Sequence, residues 1–152
     1  MKIRLARKEE IEILLKFEQE LVEFERSFDS TLKEGKISYY DILSRINSKD
    51  SCVLVADVNE ELVGSGFIDI VKAKPYLKHK YFGSFGFFYV KKEYRGKGVN
   101  KSILSGLIKW AKNRDVNEVR LQVYDNNINA KSVYLKYGFE PTLLEMRLNL
   151  NK

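Results

Sequence analysis

The sequence is poor in the residues that build disulfides, metal centres and flexible linkers. It contains one cysteine (Cys52), one histidine (His79) and two prolines (Pro75 and Pro141) in 152 residues. A single cysteine excludes an intramolecular disulfide and a multi-cysteine zinc site, and a single histidine excludes a His-rich metal site. We therefore expect no metal cofactor, a reduced cytoplasmic setting and a single domain over residues 1–152.

Long apolar runs are also missing. No stretch approaches the roughly 18–20 apolar residues that are needed to cross a bilayer, so we expect no membrane partner. The first seven residues are too short and too mixed to resemble a signal peptide. The hydrophobic content of 44% is nevertheless typical of a soluble globular protein rather than of a disordered chain.

The charge is positive overall and segregated along the chain. The net charge is +6, but residues 9–34 hold nine acids and three bases, whereas residues 72–101 hold nine bases and one acid. A basic middle favours an anionic partner. Nucleic acid would also need exposed stacking aromatics, yet Phe85, Phe87 and Phe88 lie in an apolar run that we expect to be buried. We therefore expect no nucleic-acid partner.

The periodicity of apolar residues predicts an α/β fold with a mixed sheet. The predicted order is β-α-α-β-β-β-α-β-α-β, and Gly64-Ser65-Gly66 predicts a bulge or a close backbone approach. The ten predicted elements are Lys2–Ala6, Glu9–Arg26, Ser38–Asn47, Ser51–Val58, Leu62–Val71, Ser84–Val90, Val99–Arg114, Glu118–Tyr124, Ile128–Tyr137 and Phe139–Leu150.

The segment that points to chemistry joins the apolar strand Ser84–Val90 to the helix Val99–Arg114. It contains the basic, glycine-rich turn Arg95-Gly96-Lys97-Gly98. Glycines allow several N–H groups to point one way, and a helix start adds partial positive charge, so the turn predicts a phosphate or diphosphate ligand. The motif is neither a P-loop nor a dinucleotide fingerprint, because Val99 follows Gly98 directly and Lys101 occupies the final glycine position. A basic surface turn is the alternative interpretation.

The chain resembles the GNAT superfamily of acetyl-CoA-dependent N-acetyltransferases in two motifs. The first is the phosphate motif Arg/Gln-x-x-Gly-x-Gly/Ala, which is matched from Arg95 onward but with Asn100 where glycine or alanine is usual. The second, Asn-x-x-Ala-x-x-x-Tyr-x-x-x-Gly-Phe, is complete, and its residues are Asn127, Ala130, Tyr134, Gly138 and Phe139. The order of elements also agrees over nearly the whole chain.

The resemblance implies a single N-acetyltransferase domain with a mostly antiparallel, twisted sheet, helices on both faces, and acetyl-CoA as cosubstrate. It implies that two neighbouring parallel strands splay apart around the pantetheine arm, and that a backbone N–H near Phe88 or Val90 polarises the thioester carbonyl. The residues that it assigns to the coenzyme are Phe88, Tyr89, Val90, Arg95, Gly96, Lys97, Gly98, Val99, Asn100, Lys101, Asn127 and Ala130.

Tyr134 is the candidate catalytic residue. In the family, the acetyl group passes directly from thioester to amine, and the leaving thiolate benefits from a proton donor. A phenol, with a reference pKa of about 10, can supply that proton at neutral pH. The alternative is an ordinary core tyrosine. For the general base the sequence leaves Asp69, Glu25, Tyr124 and His79 open, since the strand Ser84–Val90 contains no acid.

The acceptor predicted by the resemblance is a primary amine, either a small cationic amine or a peptide or protein amino group. Acids and aromatics accompany one another in residues 18–40, which suits a cation, although solvated helix faces also carry such acids. The alternative function is a catalytically weak or inactive GNAT-fold module that binds CoA or a protein partner. Dimers are common among relatives, so a homodimer is among the expected states.

Overall fold

The sheet of the computed structural model, which describes residues 1–151, contains five strands in the described chain. They are Lys2–Leu5 (β1), Ser51–Val58 (β2), Glu61–Lys72 (β3), Tyr81–Val90 (β4) and Val119–Arg120 (β5). Their spatial order is β1-β2-β3-β4-β5. All neighbours are antiparallel except β4 and β5, which are parallel. The predicted mixed, mostly antiparallel sheet is confirmed.

Four α-helices accompany these strands in the described residues. They are Ile11–Glu25 (α1), Ile42–Ile46 (α2), Val99–Lys112 (α3) and Ile128–Tyr137 (α4). The chain divides into two compact units, Met1–Gln122 and Val123–Lys152, and the second is described as far as Asn151. The expectation of a single domain over residues 1–152 stays a prediction. Within the described residues, no helix is long and apolar enough to cross a membrane.

Helix α3 packs on one face of the sheet through the apolar stripe that the sequence predicts. Val99, Ile103 and Leu107 are all buried. The helix can approach closely because β3 carries glycines beneath it. A Cβ at Gly66 would lie 2.8 Å from Ile103 Cγ2 and 2.9 Å from the Phe88 ring. The predicted close backbone approach at Gly64–Gly66 is therefore confirmed.

Helices α1 and α2 cover the opposite face. Leu14, Phe17 and Ile42 join Val55 and Phe87 in one buried apolar cluster. Each of these side chains removes apolar surface from water, which contributes on the order of 1.5–3 kcal/mol per fully buried large residue. The two faces together explain why the strand Ser84–Val90 has a continuous apolar sequence, since both of its sides are covered.

The second helix is shorter than predicted. We expected Ser38–Asn47, but α2 begins at Ile42. The buried carboxylate of Glu18 accepts hydrogen bonds from the N–H groups of Tyr39 and Tyr40 at 3.1 and 2.9 Å, so these N–H groups are satisfied by α1 in the stretch before α2. Asp41 then caps α2 by accepting a hydrogen bond from Ser44 N–H at 3.0 Å.

The last two predicted strands are the main error. The prediction Glu118–Tyr124 is confirmed only at Val119–Arg120, and Phe139–Leu150 forms no strand. The alternating residues Met146, Leu148 and Leu150 are 83–85% exposed. Alternation predicts a strand only if a neighbouring strand supplies a ladder for its backbone N–H and C=O groups. The predicted order of ten elements is therefore wrong at its last element, the strand Phe139–Leu150.

Candidate active site

A bulge in β4 is the first feature of the candidate site. Ser65 pairs with Tyr89 and Phe67 pairs with Gly86, so Phe87 and Phe88 together oppose the single residue Gly66. Phe87 has φ +60°, a left-handed conformation that is rare for a bulky residue. Phe87 is also 1% exposed, so the surrounding core holds it in place.

The bulge reverses the direction of the backbone hydrogen-bonding groups. The N–H of Gly83 donates to Glu118 O, beside β5, at 2.9 Å, whereas the N–H of Lys91 donates to Val63 O, on β3, at 2.8 Å. In a regular strand, residues an even number of positions apart direct their N–H groups to the same neighbour. The extra residue therefore turns the N–H groups of Phe88 and Val90 away from β3. These are the two groups that the sequence analysis assigned to the coenzyme.

Two hydroxyl groups contact the backbone of Phe87, and neither residue was predicted from the sequence. Ser65 Oγ, which is fully buried on β3, donates to Phe87 O at 3.1 Å. The Tyr40 hydroxyl is hydrogen-bonded to the Phe87 backbone, and burial raises the pKa of Tyr40 to about 12. The Tyr40 ring also packs against the rings of Phe67 and Phe87, with centroids 5.1 and 5.7 Å apart. No local sequence signal distinguishes Tyr40 from the adjacent Tyr39.

The glycine-rich turn follows β4 after a 3-10 turn at Lys92–Tyr94. Gly96 has φ +73° and Gly98 has φ +83°, so both adopt the left-handed conformation that favours glycine. A Cβ at either position would meet no atom within 4 Å, so this side of the turn is open to a ligand. Helix α3 begins directly at Val99, and its first N–H groups have no carbonyl partner within the helix. The turn therefore fits an anion such as a pyrophosphate.

The charged side chains of the turn do not all point into it. Arg95 Nε donates to Val90 O at 2.9 Å, and the Arg95 guanidinium lies 5.8 Å from the centre of the Phe24 ring. Lys97 Nζ lies 5.5 Å from the Tyr94 ring. Lys101 is exposed in the first turn of α3. Arg95 therefore connects the turn to the end of β4 through this hydrogen bond. This structural role adds to the positive charge that was predicted from the sequence.

Asn100, the departure from the family motif, is partly buried in the first turn of α3. Its side-chain Oδ1 is buried and has no hydrogen-bond partner in the described residues. A buried carbonyl oxygen without a donor is unfavourable. The start of α3 therefore contains a buried hydrogen-bond acceptor that has no donor in the described residues.

The second motif forms α4 and its two ends, in the second unit. Asn127 caps the helix, because its side-chain oxygen accepts a hydrogen bond from Ala130 N–H at 3.3 Å. Gly138, with φ +119°, ends the helix, and the N–H groups of Gly138 and Phe139 both donate to Tyr134 O. The partly buried Tyr134 ring contacts the Phe139 ring edge-on, with centroids 5.9 Å apart. The motif thus has a structural role as a helix with two caps.

The four candidates for the general base differ in their surroundings. Asp69 accepts hydrogen bonds from Arg45 at 3.1 Å and from Ser51 at 2.7 Å. His79 Nε2 lies 2.8 Å from Glu118 Oε2. Tyr124 belongs to the second unit. Burial raises the pKa of Glu25 above its usual value.

Most of the acids in residues 18–34 have structural partners. Glu18 is buried and holds the backbone of Tyr39 and Tyr40, and Glu23 pairs with Arg26 at 3.0 Å. Glu20 accepts a hydrogen bond from Tyr89, and burial together with this bond raises the pKa of Tyr89. Across residues 1–151, no group of three or more His, Cys, Asp or Glu side chains could hold a metal ion.

Comparison with known proteins identifies two curated relatives with local similarity. One is an uncharacterized N-acetyltransferase, YobR, of Bacillus subtilis, 38% identical over 60 residues, which is 40% of this chain and 24% of that protein. The other is a probable spermine N(1)-acetyltransferase of Bacillus subtilis subsp. natto, 35% identical over 54 residues, which is 35% of this chain and 36% of that protein. The matched segments therefore span only about a quarter to a third of these curated relatives.

Solved structures extend the similarity to the whole fold. A mutant of the BH1408 protein from Bacillus halodurans has a TM-score of 0.89 at 22% identity, covering 99% of both chains. A predicted acetyltransferase with acetyl-CoA from Clostridium acetobutylicum has a TM-score of 0.73 at 21% identity, covering 99% of this chain and 96% of that one. At these identities the likeness is one of fold.

A family model settles the family. The model of the acetyltransferase (GNAT) family matches residues 14–139, which include β4, the glycine-rich turn and α4. The bulged strand, the open turn at the start of α3 and the doubly capped α4 are thus parts of one matched segment, and the chain belongs to the GNAT acetyltransferase family.

Proposed function

We propose that the protein transfers an acetyl group from acetyl-CoA directly to a primary amine. The observation that carries the proposal is the open, left-handed turn Gly96–Gly98, which leads straight from the bulged strand β4 into α3. In a chain of the GNAT family, this arrangement suits a thioester on the strand and a pyrophosphate on the turn. Cytoplasmic location and a homodimer remain predictions.

The coenzyme would be held mainly by backbone groups. The N–H groups of Val99, Asn100 and Lys101 are at the start of α3, where helix ends favour anions. Gly96 and Gly98 leave room for the phosphates, while Lys97 and Lys101 supply positive charge. An anionic oxygen does not satisfy Asn100 Oδ1, so we expect the Asn100 amide nitrogen to face the ligand.

On β4, the N–H groups of Phe88 and Val90 would pair with the pantetheine arm and the thioester carbonyl. The Tyr89 hydroxyl donates a hydrogen bond to Glu20, so Tyr89 would contact the coenzyme through its backbone alone. In the second motif, Asn127 and Ala130 would serve the coenzyme through the helix start that they build.

The reaction needs two proton transfers. The amine nitrogen attacks the thioester carbon, the C–S bond breaks, and Tyr134 gives its phenolic proton to the leaving thiolate. The proton lost by the amine goes to a base, for which Glu25 is best suited, because burial already raises its pKa. Cys52 is buried in β2 and burial raises its pKa to about 11, which suits a reaction without an enzyme thiolate.

The names of similar proteins point to the acceptor class. One curated relative is named as a probable spermine acetyltransferase, and a solved structure of similar fold, with a TM-score of 0.75, is an aminoglycoside 6'-N-acetyltransferase from Acinetobacter haemolyticus. Both names denote amines that carry several positive charges. A polycationic primary amine is therefore the first class to test.

The test is release of free CoA thiol from acetyl-CoA across polyamines, aminoglycosides and peptide N-termini. We expect turnover with a polycationic amine, and about a tenfold or greater loss of kcat in Tyr134→Phe, since general acid catalysis typically contributes roughly 10²–10⁴-fold. Tyr137→Phe, on the same helix, is the matched control. Tight acetyl-CoA binding without turnover on any amine would support the non-catalytic module instead.

The coenzyme role of the turn is tested separately by calorimetry. Arg95→Glu should weaken acetyl-CoA binding by about tenfold or more, because it reverses a charge and releases the turn from Val90. Lys109→Glu makes the same charge change at the far end of α3 and should leave the affinity within about twofold. Equal affinities of the two variants for acetyl-CoA would contradict the assignment of the turn to the coenzyme site.

A further inference from the structure

The bulge in β4 depends on a residue in an unfavourable conformation. Phe87 has φ +60° in the middle of a strand, and a bulky side chain rarely adopts this region. Such a conformation persists only where several contacts impose it. The contacts at Phe87 therefore decide whether the bulge, and with it the direction of the following N–H groups, is kept.

Two side chains from different elements make these contacts. Ser65, on β3, donates its hydroxyl to Phe87 O at 3.1 Å and is fully buried. Tyr40, in the stretch before α2, is hydrogen-bonded to the Phe87 backbone and packs on the Phe87 ring. The N–H groups of Tyr40 and its neighbour are in turn held by Glu18. Both hydroxyl groups thus act on one peptide segment from separate elements of the fold.

The consequence reaches the next residues of the strand. Because the bulge adds one residue to β4, the N–H groups of Phe88 and Val90 point away from β3. Without the bulge, the alternation would turn the same groups toward β3. A thioester bound on the side of β4 that faces away from β3 would then lose its oxyanion donor.

We propose that Ser65 and Tyr40 are positioning residues that hold the Phe87 bulge and thereby aim the backbone N–H groups of β4 at the coenzyme. The proposal rests on the proposed function for its chemistry but not for its geometry. The proposal assigns neither side chain a contact with the acetyl group. Their effect is transmitted through the backbone of Phe87.

The experiment compares Ser65→Ala, Tyr40→Phe and the double variant with the wild-type protein. The matched controls are Ser48→Ala, which removes a serine hydroxyl that accepts a hydrogen bond from Asp50 N–H at 3.1 Å, and Tyr76→Phe at an 82% exposed tyrosine. Two readouts are taken: the ¹⁵N amide signals of Phe88 and Val90, and the kcat and CoA affinity of each variant.

We expect the amide signals of Phe88 and Val90 to shift in Ser65→Ala and Tyr40→Phe and to stay unchanged in both controls. We expect kcat to fall about tenfold, less than the roughly 10²–10³-fold for complete loss of an oxyanion donor, while the dissociation constant of CoA changes by less than about threefold. The double variant should lose less than the product of the single losses, since both act on one bulge.

Unmoved amide signals in both single variants would overturn the proposal, as would kcat losses no larger than that of Ser48→Ala. A wild-type protein that binds acetyl-CoA and acetylates no amine would overturn the proposed function instead. In that case the amide signals still decide the positioning role, so the two failures are distinguishable.

Discussion

The two units of the chain differ in how they are stabilised. Every fully buried residue of the described chain lies in the first unit, up to Val116, where the sheet is packed between α1, α2 and α3. Helix α4, in the second unit, has no buried residue, and its order comes from local bonds at Asn127 and Gly138. The first unit is therefore held by a core, and the second by its caps and ring contacts.

This difference separates the two motifs of the family. The phosphate turn joins β4, in which alternate residues are buried, to α3, whose apolar stripe is buried, so both ends of the turn are anchored in the core. The Asn127–Phe139 motif lies on a helix whose apolar residues are half-exposed or exposed. Two family motifs that are both recognisable in the sequence thus lie in parts of the structure that are stabilised in different ways.

The largest contrast is expected between two leucines. Leu107→Ala, at a fully buried position on α3, should lower the free energy of unfolding by about 3 kcal/mol, through lost burial and a cavity. Leu148→Ala, at an 83% exposed position, should change it by less than about 0.5 kcal/mol. Urea denaturation measures both. Equal losses would contradict the contrast and show that Leu148 is buried in solution.

The next contrast is between two helix caps. Asp41→Ala and Asn127→Ala each remove a side-chain acceptor at a helix start, which costs about 1 kcal/mol. We expect Asp41→Ala to lower the urea midpoint, because α2 packs on the core. Asn127→Ala should instead speed amide hydrogen exchange within α4 and leave the midpoint unchanged. A lowered midpoint in both variants would mean that α4 unfolds together with the core.

The smallest effect concerns Glu25. Its pKa is raised in the folded protein, so the folded state binds its proton more tightly than the unfolded state does. Its contribution to stability is therefore full below the usual glutamate pKa and is lost as the pH rises through the raised value. Glu25→Gln should stabilise the protein at about pH 8, by less than about 1 kcal/mol after solvent screening, and not at about pH 4.

The same variant should lower acetyl transfer if Glu25 is the base, because glutamine cannot accept the amine proton. A gain in stability with a loss of activity is the expected outcome. Thermal unfolding at the two pH values measures the first effect, and thiol release measures the second. A pH-independent change in stability would contradict the raised pKa.

Long periodic elements could be predicted from the sequence. The apolar stripe of α3 and the continuous apolar run of β4 are confirmed, because both patterns record packing on a nearby surface. The glycine pair Gly64–Gly66 also indicated the close approach beneath α3. The final strand could not be predicted correctly, since the alternation of Met146, Leu148 and Leu150 does not record whether a partner strand is present.

The candidate site could be predicted only where it follows a motif. The motif placed Arg95, Gly96 and Gly98 in a turn before a helix, their role toward the coenzyme stays a prediction, and the structure adds that Arg95 Nε donates to Val90 O. Ser65 and Tyr40 were missed because they act through contacts between elements that are far apart in sequence, and no local pattern marks such contacts. The left-handed Phe87 was missed because phenylalanine is a residue for which that conformation is unfavourable.

The side chains of α1 that hold the stretch before α2 have a kinetic consequence for any ligand of that region. Gln19 Nε2 donates to Ile37 O at 2.6 Å, and Glu18 accepts hydrogen bonds from the N–H groups of Tyr39 and Tyr40, so three backbone polar groups of a segment without regular structure are satisfied. The conformational entropy of these residues is lost during folding, not during binding. Any ligand of this stretch would therefore meet Tyr39 and Tyr40 already ordered, and its association rate should not be limited by loop closure.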